Sequence, residues 1–302
     1  MSVDGAELVA LIGRNGAGKS SLMRTIARLQ PAISGEITID GKPLEKFSRR
    51  ELASLLSFVS TEPVSIAYLA VKQLVALGRF PYTNWIGKLG ADDITLVEEA
   101  IQSVDLTLLA EKNLHEISDG ERQRAMLARS LAQDSPVILL DEPTAFLDMP
   151  AKYEIINLLH RLTRTKRKTI IFSTHDLNIA MQEADKLWLI IDGVLYEGAP
   201  EDMALNRQFA QMFEGTNLVF DDCNGQFNIK RKEIKSVRVA GEGKTFFWTK
   251  RALERLQFEV RKAENEKHAD IVVKDSSWTL KDADKRINFN SIYELAKYFA
   301  KN

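Results

Sequence analysis

The sequence predicts an α/β fold: a largely parallel sheet with helices on its faces, followed by a small α+β domain. Three features point to it. Short, continuous apolar runs alternate with helical patterns through the first two-thirds of the chain; such runs mark strands buried on both faces, and strands separated by helices pair in parallel. The chain has 302 residues, 45% of them hydrophobic, enough for about two domains. The charge balance shifts near residue 217: residues 217–302 carry 18 Lys and Arg against 13 Asp and Glu, while the residues before them are net negative.

The elements follow in order. Residues 8–12 (Leu-Val-Ala-Leu-Ile) make the first strand, broken by the glycines of 13–18. Residues 19–29 carry Leu22, Ile26 and Leu29 at helical spacing, with Pro31 just beyond. Residues 35–41 alternate and end in Asp40-Gly41, a hairpin signal. Ser48 starts a short helix and residues 55–59 form a strand. Residues from about 62 to 134 read mostly helical, with a break from Pro81 to Trp85. Then come a strand at 137–140, a helix at 152–163, a strand at 169–173, a helix at 177–184, and a hairpin of 187–191 with 194–197 around Asp192-Gly193. In the tail, 218–220 and 227–229 flank Cys223-Asn224-Gly225 as a hairpin; 248–256 and 291–300 read as helices and 271–273 as a strand.

Composition excludes several classes. With 41 Lys and Arg against 42 Asp and Glu, the whole chain is neither a strongly basic nucleic-acid binder nor an acidic disordered tail. One cysteine rules out an internal disulfide framework and a multi-cysteine metal site. No apolar run approaches the ~20 residues of a membrane span, and Met1-Ser-Val-Asp-Gly5 lacks the basic start of a signal peptide. The expected location is the cytoplasm, with membrane contact only through a partner subunit.

Gly13, Arg14, Asn15, Gly16, Ala17, Gly18, Lys19 and Ser20 fit G-x-x-x-x-G-K-[ST], with Ser21 next. Glycines let backbone N–H groups turn inward around a phosphate, and the following helix aims its positive end at the same anion. Lys19 supplies a charge to the β/γ phosphates and Ser20 a hydroxyl to Mg²⁺. A chance match in a chain this long is on the order of one in a hundred, and this one falls between a strand and a helix. Residues 137–143 (Val-Ile-Leu-Leu-Asp-Glu-Pro) are an apolar strand ending in two acids. Asp141 is placed to hold Mg²⁺; Glu142 can polarise an attacking water as a general base. Upstream, Ser118 and Glu121 form an S-x-x-E capping box, so a helix starts at Ser118 and its free N–H groups make an anion site.

The order of these motifs resembles the ATP-binding cassette (ABC) ATPases. Ala145-Phe-Leu-Asp148 is similar to that family's D-loop, and Ser173-Thr-His175-Asp176 to its switch-histidine segment. The resemblance covers about residues 5–215. It implies a P-loop NTPase (RecA-like) core with a helical subdomain at about 62–134, an ATPase domain of residues 1–216, and a small accessory α+β domain at 217–302. It also implies ATP and Mg²⁺ as cofactors, Glu142 as catalytic base, His175 as γ-phosphate sensor, and a dimer closing on ATP. In that dimer Ser118, Gly120, Glu121 and Asp148 act in trans. Residues 71–82 and 141–148 look like the importer branch for iron chelates, haem and cobalamin. The implied partners are integral-membrane permease subunits, with a periplasmic or lipoprotein binding protein engaged indirectly and no nucleic acid, and the implied place is the inner face of the cell membrane. The alternatives are a soluble ABC ATPase working on nucleic acid or ribosomes, and a hydrolysis-weak regulatory cassette.

The sequence departs from the family in three places. Met1 precedes Gly13 by 12 residues, whereas members usually have about two more strands there, with an adenine-stacking aromatic. The expectation is an N-terminally truncated β subdomain and weak ATP affinity. Thr61, followed by Glu62, stands where the family has a glutamine, so Thr61 becomes the catalytic-site candidate. The signature reads Ile-Ser-Asp-Gly-Glu, and Asp119 brings a charge that costs energy near phosphate unless it faces away. The tail offers no catalytic constellation; 230–232, 250–251 and 285–286 are basic, but both signs are interspersed and read as solvated faces.

Overall fold

The computed structural model describes residues 1–62, 68–83, 87–221, 224–230, 235–274, 277–282 and 285–301. The chain forms two compact units, Met1–Glu214 with Phe220–Gln226, and Gly215–Val219 with Phe227–Asn302.

The first unit begins with β1 (Leu8–Gly13), whose six residues are all buried, and α1 (Lys19–Ile26). A small hairpin, β2 (Thr38–Ile39) and β3 (Lys42–Pro43), precedes α2 (Arg49–Leu55) and β4 (Leu56–Val59). The insert contributes α3 (Val71–Ala76), α4 (Ala91–Ser103) and α5 (Asp119–Ala132). After it come β5 (Val137–Leu140), α6 (Met149–Lys166), β6 (Thr169–Ser173), α7 (Leu177–Glu183), β7 (Lys186–Ile191), β8 (Val194–Gly198), α8 (Pro200–Leu205) and α9 (Gln208–Met212).

The main sheet has the order β4-β5-β6-β1-β7-β8. The first five strands run parallel, and β8 returns antiparallel along β7. Parallel strands need both faces covered, which is why β1 and β6 are apolar without alternation. The consequence for function is positional. The carboxyl ends of β4, β5, β6 and β1 share one edge of the sheet, where open α/β sheets bind ligands.

The insert packs around Arg79, which is buried. Its Nε donates to Asp93 at 2.8 Å, one terminal nitrogen donates to the Ala132 carbonyl at 2.8 Å, and the guanidinium lies 4.0 Å from the Tyr82 ring centroid. Gly78 faces the Arg129 carbonyl so closely that no Cβ would fit. The predicted break at Pro81 falls in a 3₁₀ turn, Leu77–Tyr82; Trp85 lies outside the described residues. Helix α1 stops at Ile26 instead of reaching Leu29, because Arg28 takes a left-handed φ of 55° and Leu29 is left exposed. Helix α6 starts earlier than its apolar spacing implies, because Asp148 caps it and Pro150 sits in its first turn.

Strands β9 (Leu218–Asp221) and β10 (Gln226–Ile229), whose residues are divided between the two units, form a two-stranded ribbon; Cys223 between them lies outside the described residues. There follow β11 (Lys235–Ala240), α10 (Gly243–Arg255), β12 (Phe258–Lys262), β13 (Ile271–Lys274), β14 (Ser277–Asp282), β15 (Lys285–Phe289) and α11 (Ile292–Lys301). The sheet order is β12-β11-β13-β14-β15, parallel in its first three strands and antiparallel beyond. Both helices cover one face, where Leu253 and Leu295 join Val237, Val239, Ile271, Trp278 and Phe289 in one core. The Trp278 indole N–H donates to Thr249 Oγ1 at 2.7 Å, which satisfies both groups in that core.

Candidate functional site

At the carboxyl end of β1 the chain turns through Gly16 and Gly18, whose φ angles of 81° and 95° lie in the left-handed region that glycine adopts without cost. Gly18 is the N-cap of α1 and offers no side-chain oxygen. The N–H groups of the first turn are therefore left for an anion, and the helix dipole favours one there. Lys19 is buried, with its ammonium donating to the Gly13 carbonyl at 2.9 Å and the Arg14 carbonyl at 3.5 Å. It lies folded down on its own loop, where it can swing to phosphate oxygens. Arg14, Asn15, Ser20 and Ser21 are exposed, and Ala17 closes the turn by donating its N–H to the Arg14 carbonyl at 3.0 Å.

One strand lies between β1 and β5. Asp141 follows β5 directly, and its N–H extends the ladder to the Val59 carbonyl at 2.9 Å. The side chain is 4% exposed. Its Oδ1 accepts two hydroxyl protons, from Ser20 Oγ at 3.1 Å and from Ser173 Oγ at 2.6 Å. The loop after β1, the end of β5 and the end of β6 thus meet on one carboxylate oxygen. Glu142 stands next, with a φ of 49° that is uncommon for a side-chain-bearing residue. Its Oε2 lies 3.6 Å from His175 Nδ1, and the two side chains are 28% and 58% exposed respectively. Thr61, beyond β4, donates its hydroxyl to the main-chain carbonyl of Asp141 at 2.9 Å. The neighbouring Glu62 is turned to Arg24 on α1 at 3.2 Å.

A second group gathers at two helix starts. Ser118 caps α5: its Oγ accepts from the Glu121 N–H at 3.3 Å, while Glu121 Oε2 accepts from the Ser118 N–H at 2.8 Å and its hydroxyl at 2.9 Å. The Ser118 N–H and then its hydroxyl hold the Glu121 carboxyl below the usual carboxylate range. Asp119 points outward, 71% exposed and paired with Arg122 at 2.9 Å. Asp148 caps α6 by accepting from the Ala151 N–H at 3.0 Å. A Cβ on Gly120 would sit 3.3 Å from that of Ala151, so the two helix starts lie against each other. Among the described residues no hydrogen bond or ion pair joins this group to the phosphate loop.

The structure therefore sorts the predicted residues into two sets. Gly13 to Ser21, Thr61, Asp141, Glu142 and His175 share the sheet edge; Ser118, Gly120, Glu121 and Asp148 form a separate patch. Sequence reasoning passed over Ser173 as a separate functional residue. The available signal was a lone hydroxyl closing the apolar run of β6.

A family model described as ABC transporter matches residues 1–145, and one described as iron ABC transporter C-terminal domain matches residues 234–300. The chain is 35% identical over 240 residues to an ABC transporter ATP-binding protein of Methanocaldococcus jannaschii, covering 79% of this chain and 83% of that one. It is 36% identical over 214 residues to the petrobactin import ATP-binding protein FpuD of Bacillus anthracis, covering 70% and 78%. Its fold matches a bacterial ABC transporter cassette solved as a dimer, with a TM-score of 0.58, 27% identity and coverage of 66% and 88%. No helix among the described residues is long and apolar enough to cross a membrane. A glycine loop and an Asp-Glu pair meeting at the carboxyl edge of a parallel sheet, with these relatives, place the chain in the family of ABC transporter ATP-binding proteins.

Proposed function

We propose that this chain hydrolyses ATP to drive an ABC importer of an iron chelate such as a siderophore, haem or cobalamin. The observation that carries the reading is the bond from Ser20 to Asp141 beside the glycine loop, with Glu142 next to Asp141 and tied to it through Ser173. The iron side is supported by the C-terminal family match and by the petrobactin import relative.

Mg²⁺ fits the site. The Ser20 hydroxyl gives its proton to Asp141 and keeps its lone pairs for a cation, and both donors are hard oxygens. Among the described residues no cluster of three His, Cys, Asp or Glu is poised for a metal. That suits an ion held mostly by phosphate and water. When bound, Mg²⁺ neutralises charge on the β and γ oxygens. The chain's own residues do the rest. Backbone N–H groups at the start of α1 and the Lys19 ammonium grip the phosphates. Glu142 accepts the proton of the attacking water at a carboxylate oxygen. His175 stands beside it in the role of γ-phosphate sensor, and Thr61 braces the Asp141 carbonyl.

Ser118, Gly120, Glu121 and Asp148 close on the ATP of a second copy. A helix start capped within one chain, yet unconnected to that chain's own loop, fits a role across a dimer, and a related cassette was solved as a dimer. Residues 1–216, with the helical part at about 62–134, form the ATPase domain in this reading, and 217–302 are accessory. Membrane permease subunits seat the chain on the inner face of the membrane, a binding protein engages them from the other side, and nucleic acid has no part. The test is twofold: ATP-dependent phosphate release by the purified chain, and iron-chelate uptake by cells that carry it with its permease. Uptake that survives Glu142→Gln contradicts the reading.

A further inference from the structure

We infer that Ser173 is a positioning residue that ties the metal-site carboxylate to the backbone of the catalytic glutamate. This rests on the ATPase reading above and adds a residue to it. Ser173 is the last residue of β6 and has no exposed surface. Its backbone is fixed from both sides: β6 runs beside β5, with Phe172 opposite Leu140, and beside β1, with Ser173 itself opposite Leu11. A hydroxyl mounted on that central strand has little freedom.

The hydroxyl makes two bonds that fix its proton. It donates to Asp141 Oδ1 at 2.6 Å and accepts from the Glu142 N–H at 2.9 Å. The first bond, with that from Ser20, occupies Oδ1 and fixes the orientation of the carboxylate. The second holds the Glu142 backbone at a φ of 49°, the left-handed turn from which its carboxylate comes beside His175. Groups behind a metal ligand that orient it typically change metal affinity or activity by about 10–100-fold when removed. Here one hydroxyl orients both the metal's carboxylate and the general base, so its loss reaches both.

The test is Ser173→Ala, which removes the hydroxyl without adding bulk. Expected are a fall in kcat of about 10–100-fold with little change in KM for ATP, and weaker binding of Mn²⁺, read by electron paramagnetic resonance with a non-hydrolysable ATP analogue bound. Nucleotide affinity without metal stays at the wild-type value. A folded Ser173→Ala with wild-type kcat and Mn²⁺ affinity overturns the inference. Should the variant not fold, the wild-type chain still decides: the Glu142 amide is predicted to exchange slowly with solvent, and fast exchange overturns the inference. Failure of the ATPase reading is distinct, because then the wild-type chain itself releases no phosphate.

Discussion

Replacing Glu142 by Gln isolates the chemical step from the fold. The side chain keeps its shape and loses only its capacity to take a proton. What holds the residue in place is main chain: its N–H bond to Ser173 at 2.9 Å and the turn in which the Ala145 N–H donates to its carbonyl at 3.0 Å. Both survive the substitution. The contact to His175 at 3.6 Å involves a ring 58% exposed, and such pairs are worth at most about 1 kcal/mol. Stability should therefore move by less than about 1 kcal/mol. Loss of a positioned general base costs about 10²–10⁴ in rate, or about 3–5 kcal/mol of transition-state stabilisation. The assay is steady-state phosphate release at saturating ATP, with equilibrium nucleotide binding and sedimentation beside it. Expected are near-zero turnover, retained ATP binding, and a shift toward the ATP-bound dimer. Turnover within threefold of wild type would refute the assignment of Glu142.

The other expectations test separate parts of the structure. Gly18→Ala forces a side chain onto a φ of 95° with open space around it; the cost is backbone strain of about 1–2 kcal/mol, and calorimetry should record weaker ATP binding as the loop N–H groups shift. Ser118→Ala removes the cap of α5 and should lower stability in urea by about 1 kcal/mol at neutral pH. The Glu121 carboxyl is held low by Ser118, so its contribution is complete above the unfolded value of about 4.3 and fades as pH falls through the lower folded value. Urea midpoints taken from pH 6 down to pH 3 should show that loss in the wild type and a flatter limb in Glu121→Gln. In the second unit, Thr249→Val leaves the Trp278 N–H without its acceptor; indole fluorescence during denaturation should report about 1–3 kcal/mol of destabilisation, and an unchanged midpoint would contradict the role given to that bond.

The site was legible where its chemistry is local. The glycine loop, the Asp141-Glu142 pair and the Ser118 capping box each lie within a few consecutive residues, so spacing alone carries their geometry. The central strands were legible because burial on both faces makes them apolar without alternation. Ser173 was not legible as a positioning residue, because its partners lie 31 and 32 positions away, just past the end of a neighbouring strand, and only the sheet register brings them together. The arrest of α1 at Ile26 was hidden too: Leu29 continues the apolar spacing, yet the left-handed turn at Arg28 carries it to the surface. In the second unit, β14 alternates Trp278 and Leu280 inward with Thr279 and Lys281 outward, a weaker signal than an apolar run, and neither it nor β11, β12 and β15 stands out from sequence. Helix α10 begins at Gly243, five residues before its apparent start at Trp248, because Phe247 and Trp248 lie exposed on its outer face and blur the amphipathic pattern.

The most direct measurement is equilibrium binding of labelled ATP to the full chain and to Lys19→Ala. The Lys19 ammonium now rests on the Gly13 carbonyl at 2.9 Å; in the proposed role it exchanges that partner for phosphate oxygen on binding. Saturable binding by the wild type, weakened at least tenfold in Lys19→Ala, is the predicted result. No saturable binding by the wild type at millimolar ATP, or equal affinity in the two chains, would contradict the account.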